Sequence, residues 1–203
     1  MKTLTKLVTL ILLVTSTTAK AYTPEEGRIS VYGGPTWYRT DFTSTRKGVI
    51  PSEQGSAGLV VLGDINHTSS LEVGLFFFNK QYQRDLQGRF LLEQTKLAHI
   101  TMGYRRWLNE KLSASFTISS GYAMGDPIVV HSDFLPTDNV DTSARDTTEY
   151  GLDLALQFEV WKFTDFSLVL DTRFAKSFTP KDDEKADHYA MMLALQYTLQ
   201  EKN

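Results

Sequence analysis

The amino-acid sequence predicts an all-β fold, an eight-stranded antiparallel up-and-down transmembrane β-barrel. Three observations predict it: apolar and polar residues alternate with a period of two, the connections are alternately long and short, and aromatic residues lie near strand ends. Alternation of period two is typical of a strand with one apolar face. The 203 residues include no cysteine, which excludes disulfide scaffolds, thiol nucleophiles and cysteine-based zinc sites.

Residues 1–21 have the pattern of a secretory signal peptide. Lys2 and Lys6 precede the apolar run 7–14, and Ala19 and Ala21 are the small residues that a signal peptidase reads. The run is too short for a membrane-spanning helix, which needs about 20 apolar residues. We therefore expect 1–21 to be cleaved and 22–203 to form the outer-membrane barrel domain, with the mature chain beginning near Tyr22.

Eight segments of the remaining chain alternate, namely 28–38, 56–65, 71–80, 90–105, 112–124, 149–160, 166–178 and 188–199. The clearest is 149–160, where Leu152, Leu154 and Leu156 share one face and the carboxylates occupy the other. A helix would scatter these carboxylates around its whole surface, so the pattern favours a strand. The first half of 90–105 fits poorly, which predicts either a bulge or an extension beyond the membrane.

The connections alternate in length along the chain. Longer polar stretches at 40–54, 81–89, 125–147 and 179–187 alternate with short turns at 66–70, 107–110 and 161–165. Bacterial outer-membrane barrels have short periplasmic turns and longer extracellular loops. An even number of strands places both termini of the chain on the periplasmic side, with the longer loops outside.

Aromatic side chains of the apolar faces lie toward the strand ends, where they would form two interfacial girdles. The predicted outer girdle contains Trp37, Phe77, Tyr122, Tyr150, Phe174 and Tyr189, and the inner girdle contains Tyr104, Trp107, Trp161, Phe163, Phe166 and Tyr197.

The opposite faces would line the barrel interior, which in an eight-stranded barrel is only wide enough for side chains. They carry the charged and titratable residues Glu72, His99, Arg105, Asp153, Glu159, Asp171 and Arg173. We expect a salt-bridged plug, with a conduit as the alternative. Near the outer end, Tyr32, Phe76, Phe78 and Met192 would either fill the interior or shape a small apolar vestibule.

With its alternating last strand from Tyr189 to Leu199, the chain resembles the small eight-stranded outer-membrane barrels of the OmpX, OmpW and OmpA transmembrane-domain type. The resemblance covers essentially all of 22–203 and depends on pattern, without a short diagnostic motif. It implies a bacterial outer-membrane location, with lipid and lipopolysaccharide around the barrel. It also implies that the barrel-insertion machinery reads the last strand.

No pattern in the sequence predicts catalysis or a bound cofactor. The adjacent residues His131, Ser132 and Asp133 cannot easily converge as a catalytic triad. The four histidines lack metal-ligand spacing, and the acidic segment 138–149 lacks the glycine and spacing of a calcium loop. We expect no metal, and the formal net charge of -3 gives no basic surface for nucleic acid.

The functional expectation is a non-enzymatic outer-membrane protein with a structural or surface-interaction role, in which extracellular loops contact a partner. The main alternative is a narrow channel or lateral-diffusion route for small hydrophobic solutes. Two further alternatives are a lipid A-modifying barrel enzyme and a soluble periplasmic carrier of lipocalin type, whose apolar face would point inward.

Overall fold

The computed structural model describes residues 22–42, 52–135, 138, 148–163, 166–178 and 186–199. The expected leader, 1–21, and most of the loops at 40–54 and 179–187 lie outside these residues. The described chain contains nine strands: β1 (Ile29–Phe42), β2 (Ser52–Asn66), β3 (Ser69–Leu86), β4 (Arg89–Trp107), β5 (Leu112–Ala123), β6 (Ile128–Ser132), β7 (Glu149–Lys162), β8 (Phe166–Ser177) and β9 (Ala186–Leu199).

Eight of these strands close into an antiparallel barrel. Around the wall the order is β3-β2-β1-β9-β8-β7-β5-β4, and β4 pairs back onto β3. The barrel closes where β1 meets β9, with Ile29 opposite Leu199. The predicted fold class, an up-and-down barrel of eight strands, is confirmed.

The apolar faces point outward, as the alternation predicts. Leu154 and Leu156 are about half exposed, at 54% and 51%, whereas Asp153 and Ala155, which precede them in the strand, are 2% and 4% exposed. This orientation is opposite to the one that a soluble carrier of lipocalin type requires, because such a barrel would bury its leucines inside. No helix among the described residues is long and apolar enough to cross a membrane.

The hairpin of β3 and β4 extends beyond its neighbours. Its register runs unbroken from Ser69 opposite Arg106 to Leu86 opposite Arg89, although β5 ends at Ala123. The first half of 90–105, which fits the alternation poorly, therefore belongs to an extension of the hairpin. The pairing of β3 with β4 contains no bulge there. The hairpin turns at Gln87 and Gly88, both with positive φ, which suits a tight two-residue turn.

Strand β6 lies within the stretch 125–147 that the sequence predicts to be a loop. It pairs with the extended part of β4, His131 opposite Leu92 and Ile128 opposite Gln94. All five residues of β6 are exposed, so the strand has no buried face and its sequence, Ile-Val-Val-His-Ser, shows no alternation. Sequence reasoning could not detect it for that reason.

Candidate functional site: the closed interior and the outer edge strand

Two arginines and two carboxylates meet inside the barrel, and we call Glu72, Arg105, Asp171 and Arg173 the central cluster. The Nε of Arg105 lies 2.7 Å from Oε2 of Glu72, and its Nη2 lies 3.2 Å from Oδ2 of Asp171. Nη2 of Arg173 lies 2.7 Å from Oε1 of Glu72, and its Nε lies 2.8 Å from Oδ1 of Asp171. Each guanidinium thus contacts both carboxylates, and the four charges balance.

Neutral side chains add hydrogen bonds to the central cluster. The Tyr32 hydroxyl donates to Asp171 at 2.8 Å and accepts from Arg105 at 3.0 Å, and Nη1 of Arg105 donates to Ser113. Neither Glu72 nor Arg105 has exposed surface. Buried charges require this pairing, and the cluster lies inside the lumen, where the sequence predicts a salt-bridged plug.

A second polar group lies nearer the outer end, and we call Lys80, His99, Glu149, Asp153 and His188 the upper group. Lys80 is ion-paired with Glu149, and Nε2 of His99 lies 2.9 Å from Oδ2 of Asp153. His188 Nδ1 contacts the Thr40 hydroxyl at 3.1 Å.

Both histidines of the upper group also contact Phe78. The centroid of the Phe78 ring lies 5.2 Å from that of His99 and 5.3 Å from that of His188. Sequence reasoning missed Lys80, Glu149 and His188 as interior charges, although all three stand in the inward phase of their strands.

Apolar side chains also pack inside the lumen. Tyr32, Phe76, Phe78 and Met192 belong to one packed cluster with Val60 and Leu62, and none is more than 4% exposed. The Arg173 guanidinium stacks over the Phe76 ring at 4.6 Å. These side chains pack the interior, so the described residues form no open vestibule at this position.

The end of the barrel that the sequence predicts to be the periplasmic mouth is closed by the segment that precedes β1. Tyr22 is buried, its ring lies 4.5 Å from that of Trp107, and its hydroxyl donates to Asp64 at 2.6 Å. Asp64 also accepts from Ser70 at 2.6 Å and from the Glu25 backbone at 3.0 Å. Burial, and then the contact with Asp64, raise the pKa of the Tyr22 hydroxyl above its ordinary value, so it remains a donor at neutral pH.

Trp107 corrects one prediction about the inner girdle. Its side chain is 7% exposed and its indole Nε1 donates to Ser70 at 3.1 Å inside the barrel. The residue stands in the inward phase of β4, two positions after Arg105, and at the strand end it caps the lumen. Its indole N–H finds a buried acceptor there, as a buried tryptophan requires.

The other aromatic residues of the two predicted girdles lie on the outside of the wall. The exposed ones are Trp37, Phe77, Tyr104, Tyr122, Tyr150, Trp161, Phe163, Phe166, Tyr189 and Tyr197, and Phe174 is half-buried against Tyr189. Their contact with the two membrane interfaces stays a prediction. Glu159, the last of the predicted interior residues, is buried near the periplasmic end, where Ser167 donates to it at 2.9 Å.

The outer edge strand β6 is held against β4 by polar and aromatic contacts. The Phe90 backbone donates to Asp133 at 3.1 Å, and the Phe90 ring stacks on His131 at 4.4 Å. That backbone hydrogen bond, and then the one from His131, hold the pKa of Asp133 below its usual range. Ile128, Val129 and Val130 nevertheless remain more than half exposed.

The geometry around Ser132 gives no catalytic arrangement. His131 Nε2 lies 3.0 Å from Asp133, but the Ser132 hydroxyl donates to the Phe134 carbonyl and accepts from the Phe134 amide. The hydroxyl therefore has no contact with the imidazole that would activate it. Within the described ranges no group of three or more acidic or histidine residues is placed to hold a metal ion.

Comparisons with known proteins identify the fold. No protein-family model matches the chain, and no curated protein matches it. Among solved structures, OprG, an outer membrane protein of Pseudomonas aeruginosa, is similar with a TM-score of 0.58 at 12% identity, over 87% of this chain and 98% of that chain.

The attachment invasion locus protein Ail of Yersinia pestis, in complex with the heparin analogue sucrose octasulfate, is similar with a TM-score of 0.53 at 14% identity, over 86% of this chain and 99% of that chain. The same protein in a phospholipid bilayer nanodisc has a TM-score of 0.50 at 17% identity, over 86% of this chain and 100% of that chain. The closed barrel, its apolar exterior and these likenesses agree: the chain has the fold of the small eight-stranded outer-membrane β-barrel proteins.

Proposed function

We propose that this protein is a non-enzymatic surface protein of the bacterial outer membrane that docks an extended segment of a partner protein along the free edge of β6. The single observation that carries the proposal is this edge strand, which pairs only with β4 in the described part of the chain. An unpaired strand edge offers a row of backbone donors and acceptors, and proteins recognise extended peptides by adding them to such an edge.

The side chains of β6 suit a strand-like partner. Ile128, Val129 and Val130 are consecutive, branched and exposed, so they present apolar surface on both faces of the strand. Soluble surfaces rarely leave contiguous apolar residues uncovered unless they serve an interaction. A partner strand with alternating side chains could cover one of these faces while its backbone pairs with the edge.

Charge indicates which strand would fit. The stretch 125–147 contains five acidic residues and one basic residue, and Asp126 and Asp133 flank β6 closely on either side. The low pKa of Asp133 keeps its carboxylate charged throughout the physiological range. The partner segment is therefore apolar at its centre and basic at its ends, because opposite charges steer association and fix register.

The closed lumen supports a surface role over a transport role. The central cluster and the packed aromatic side chains occupy the interior, so a route for hydrophobic solutes would require both to move. Export by the leader 1–21 and insertion by the barrel-assembly machinery are parts of the same proposal, as is lipopolysaccharide as the surrounding lipid of the outer leaflet.

The docking proposal is tested with purified protein in lipid nanodiscs and a synthetic peptide in which valine alternates with polar residues between terminal lysines. We expect binding that weakens with salt. Val130→Lys should weaken it by more than roughly fivefold, which corresponds to an interface residue worth about 1 kcal/mol. Val130→Thr keeps the branched shape and is the matched control. Absence of binding, or equal binding by all three proteins, would refute the proposal.

A further inference from the structure

The periplasmic mouth contains two buried carboxylates that differ from those of the central cluster in having no salt-bridge partner among the described lysines and arginines. Asp64 and Glu159 are each 5% exposed, and within the described residues neither forms a salt bridge with a lysine or arginine. The carboxylates of the central cluster, by contrast, each contact two guanidinium groups. A buried carboxylate without a cation carries a desolvation cost that hydrogen bonds offset only in part.

Both of these carboxylates contact the same residue, Tyr22. The Tyr22 hydroxyl donates to Asp64 at 2.6 Å, and its backbone N–H donates to Glu159. Ser167 supplies the other close hydrogen bond to Glu159, at 2.9 Å. The ring of Tyr22 is fixed between these contacts by Trp107. The backbone nitrogen of Tyr22 is therefore held against a buried carboxylate that forms no salt bridge with a lysine or arginine of the described residues.

The position of this nitrogen coincides with the predicted cleavage position of the leader, between Ala21 and Tyr22. In the uncleaved chain the nitrogen is a neutral amide. Hydrolysis of the Ala21–Tyr22 peptide bond consumes one water, leaves a carboxylate on Ala21, and converts the amide of Tyr22 into an α-amino group. That group has an ordinary pKa of about 7.7–8.0 and is mostly protonated at neutral pH.

We propose that leader removal creates an ion pair between the new α-ammonium group of Tyr22 and Glu159, and that this pair seals the periplasmic mouth of the barrel. Glu159 is then a docking site for the processed N-terminus of this chain. The pair replaces a neutral donor with a charged one, which makes the hydrogen bond shorter and stronger. The inference rests on the proposed removal of 1–21 and is independent of docking at β6.

The pair should make stability depend on pH in a defined direction. A carboxylate partner raises the pKa of the amine, so its stabilisation is fully present below about pH 7.7 and is lost as pH rises through the raised value. Within the described residues, the charged groups around the mouth are the carboxylates of Glu25, Asp64 and Glu159 and the cations of Arg28, Lys111 and Lys162. Ordinary carboxylates titrate well below this window and ordinary lysines and arginines above it.

The experiment uses the full chain, expressed with its leader and purified from the outer-membrane fraction. Four proteins are compared: the native sequence, a variant with one glycine inserted between Ala21 and Tyr22, Glu159→Gln, and the two changes combined. Intact mass first identifies the N-terminal residue. The inserted glycine moves the amine by up to one residue length, about 3.5 Å, and leaves the ring contacts of Tyr22 available. Glu110→Gln, at an exposed periplasmic turn, controls for loss of one negative charge.

We expect the native protein to begin at Tyr22. The insertion should lower the melting temperature in detergent when Glu159 is present and leave it unchanged in the Glu159→Gln background. An equal loss in both backgrounds would overturn the ion pair, and a mature chain that begins elsewhere would overturn the cleavage on which it rests. If Glu159→Gln does not fold, the native protein should still lose melting temperature between pH 7 and 9 and the inserted variant should not. Identical pH profiles would overturn the proposal.

Discussion

Arg105 and Glu72 are in direct contact inside the barrel, with 2.7 Å between Nε and Oε2 and no exposed surface on either residue. They come from neighbouring strands, β4 and β3, and each also contacts a residue of β8. The pair therefore joins two walls of the barrel across its lumen, and the stability of the barrel should depend on it.

Arg105→Met is expected to destabilise the barrel by about 3–5 kcal/mol, because it leaves the carboxylates of Glu72 and Asp171 with one guanidinium between them. The measurement is the temperature at which the folded form is lost in heat-modifiable gel mobility. Arg106→Met, one residue along and on the exposed face, is the control and should have a small effect. Equal losses for both variants would contradict the structural role of the cluster.

The membrane orientation of β7 is tested at Leu154, whose side chain points away from the barrel. Leu154→Arg should cost about 2–4 kcal/mol, the cost of a basic residue on the lipid face near the bilayer midplane. Folding in lipid vesicles against urea gives the value. Leu154→Cys should react with a lipid-phase reagent and stay protected from a water-soluble one. Labelling by the water-soluble reagent would show that this face meets water.

Strands β4 and β5 approach closely at Gly103, so a side chain at this position would clash with β5. A Cβ built there would lie 2.2 Å from the Phe116 carbonyl oxygen and 2.6 Å from the Cα of Thr117, and backbone atoms cannot move away cheaply. Gly103→Ala should therefore destabilise the barrel by roughly 1–3 kcal/mol. The matched control is Gly63→Ala, where a Cβ would meet nothing within 4 Å. Equal unfolding midpoints for the two variants would contradict this prediction.

The hydrogen bond that attaches Asp133, just after β6, to Phe90 of β4 should weaken at low pH. The hydrogen bond from the Phe90 amide lowers the pKa of Asp133, so its contribution is fully present above about pH 3.9 and is lost as pH falls through the lowered value. The chemical shift of the Phe90 amide should titrate with a midpoint below about 3.9. Asp133→Asn should abolish the titration, and a midpoint at or above the ordinary value would refute the effect.

Much of the barrel could be predicted because apolar and polar side chains alternate with a period of two along its strands. The phase of Leu154, Asp153 and Leu156 alone decides which side chains face lipid, and the same rule places Glu72 and Arg173 in the lumen. Trp107 obeys the same phase, and the prediction failed there because its aromatic character was given more weight than its position in the strand.

The structural features that could not be predicted leave no periodic pattern in the sequence. Among the described residues β6 pairs only with β4, and it has no buried face, so nothing in its sequence distinguishes it from a loop. The closure of the periplasmic mouth by Tyr22 depends on contacts with Asp64 of β2 and Trp107 of β4, which are both far away in the sequence. The partners within the central cluster depend on barrel register, which alternation alone does not specify.

The seam between β1 and β9 has a kinetic consequence. It joins the first and last strands of the described barrel, so it closes the largest loop, and its pairing costs the most conformational entropy. Gly34 and Pro35 interrupt its ladder between the Gly33–Leu195 and Thr36–Met192 pairs, and proline has no amide hydrogen to offer. Spontaneous folding into vesicles should thus be slow at its final step, and an assembly catalyst that holds these two strands together would act where the chain needs it most.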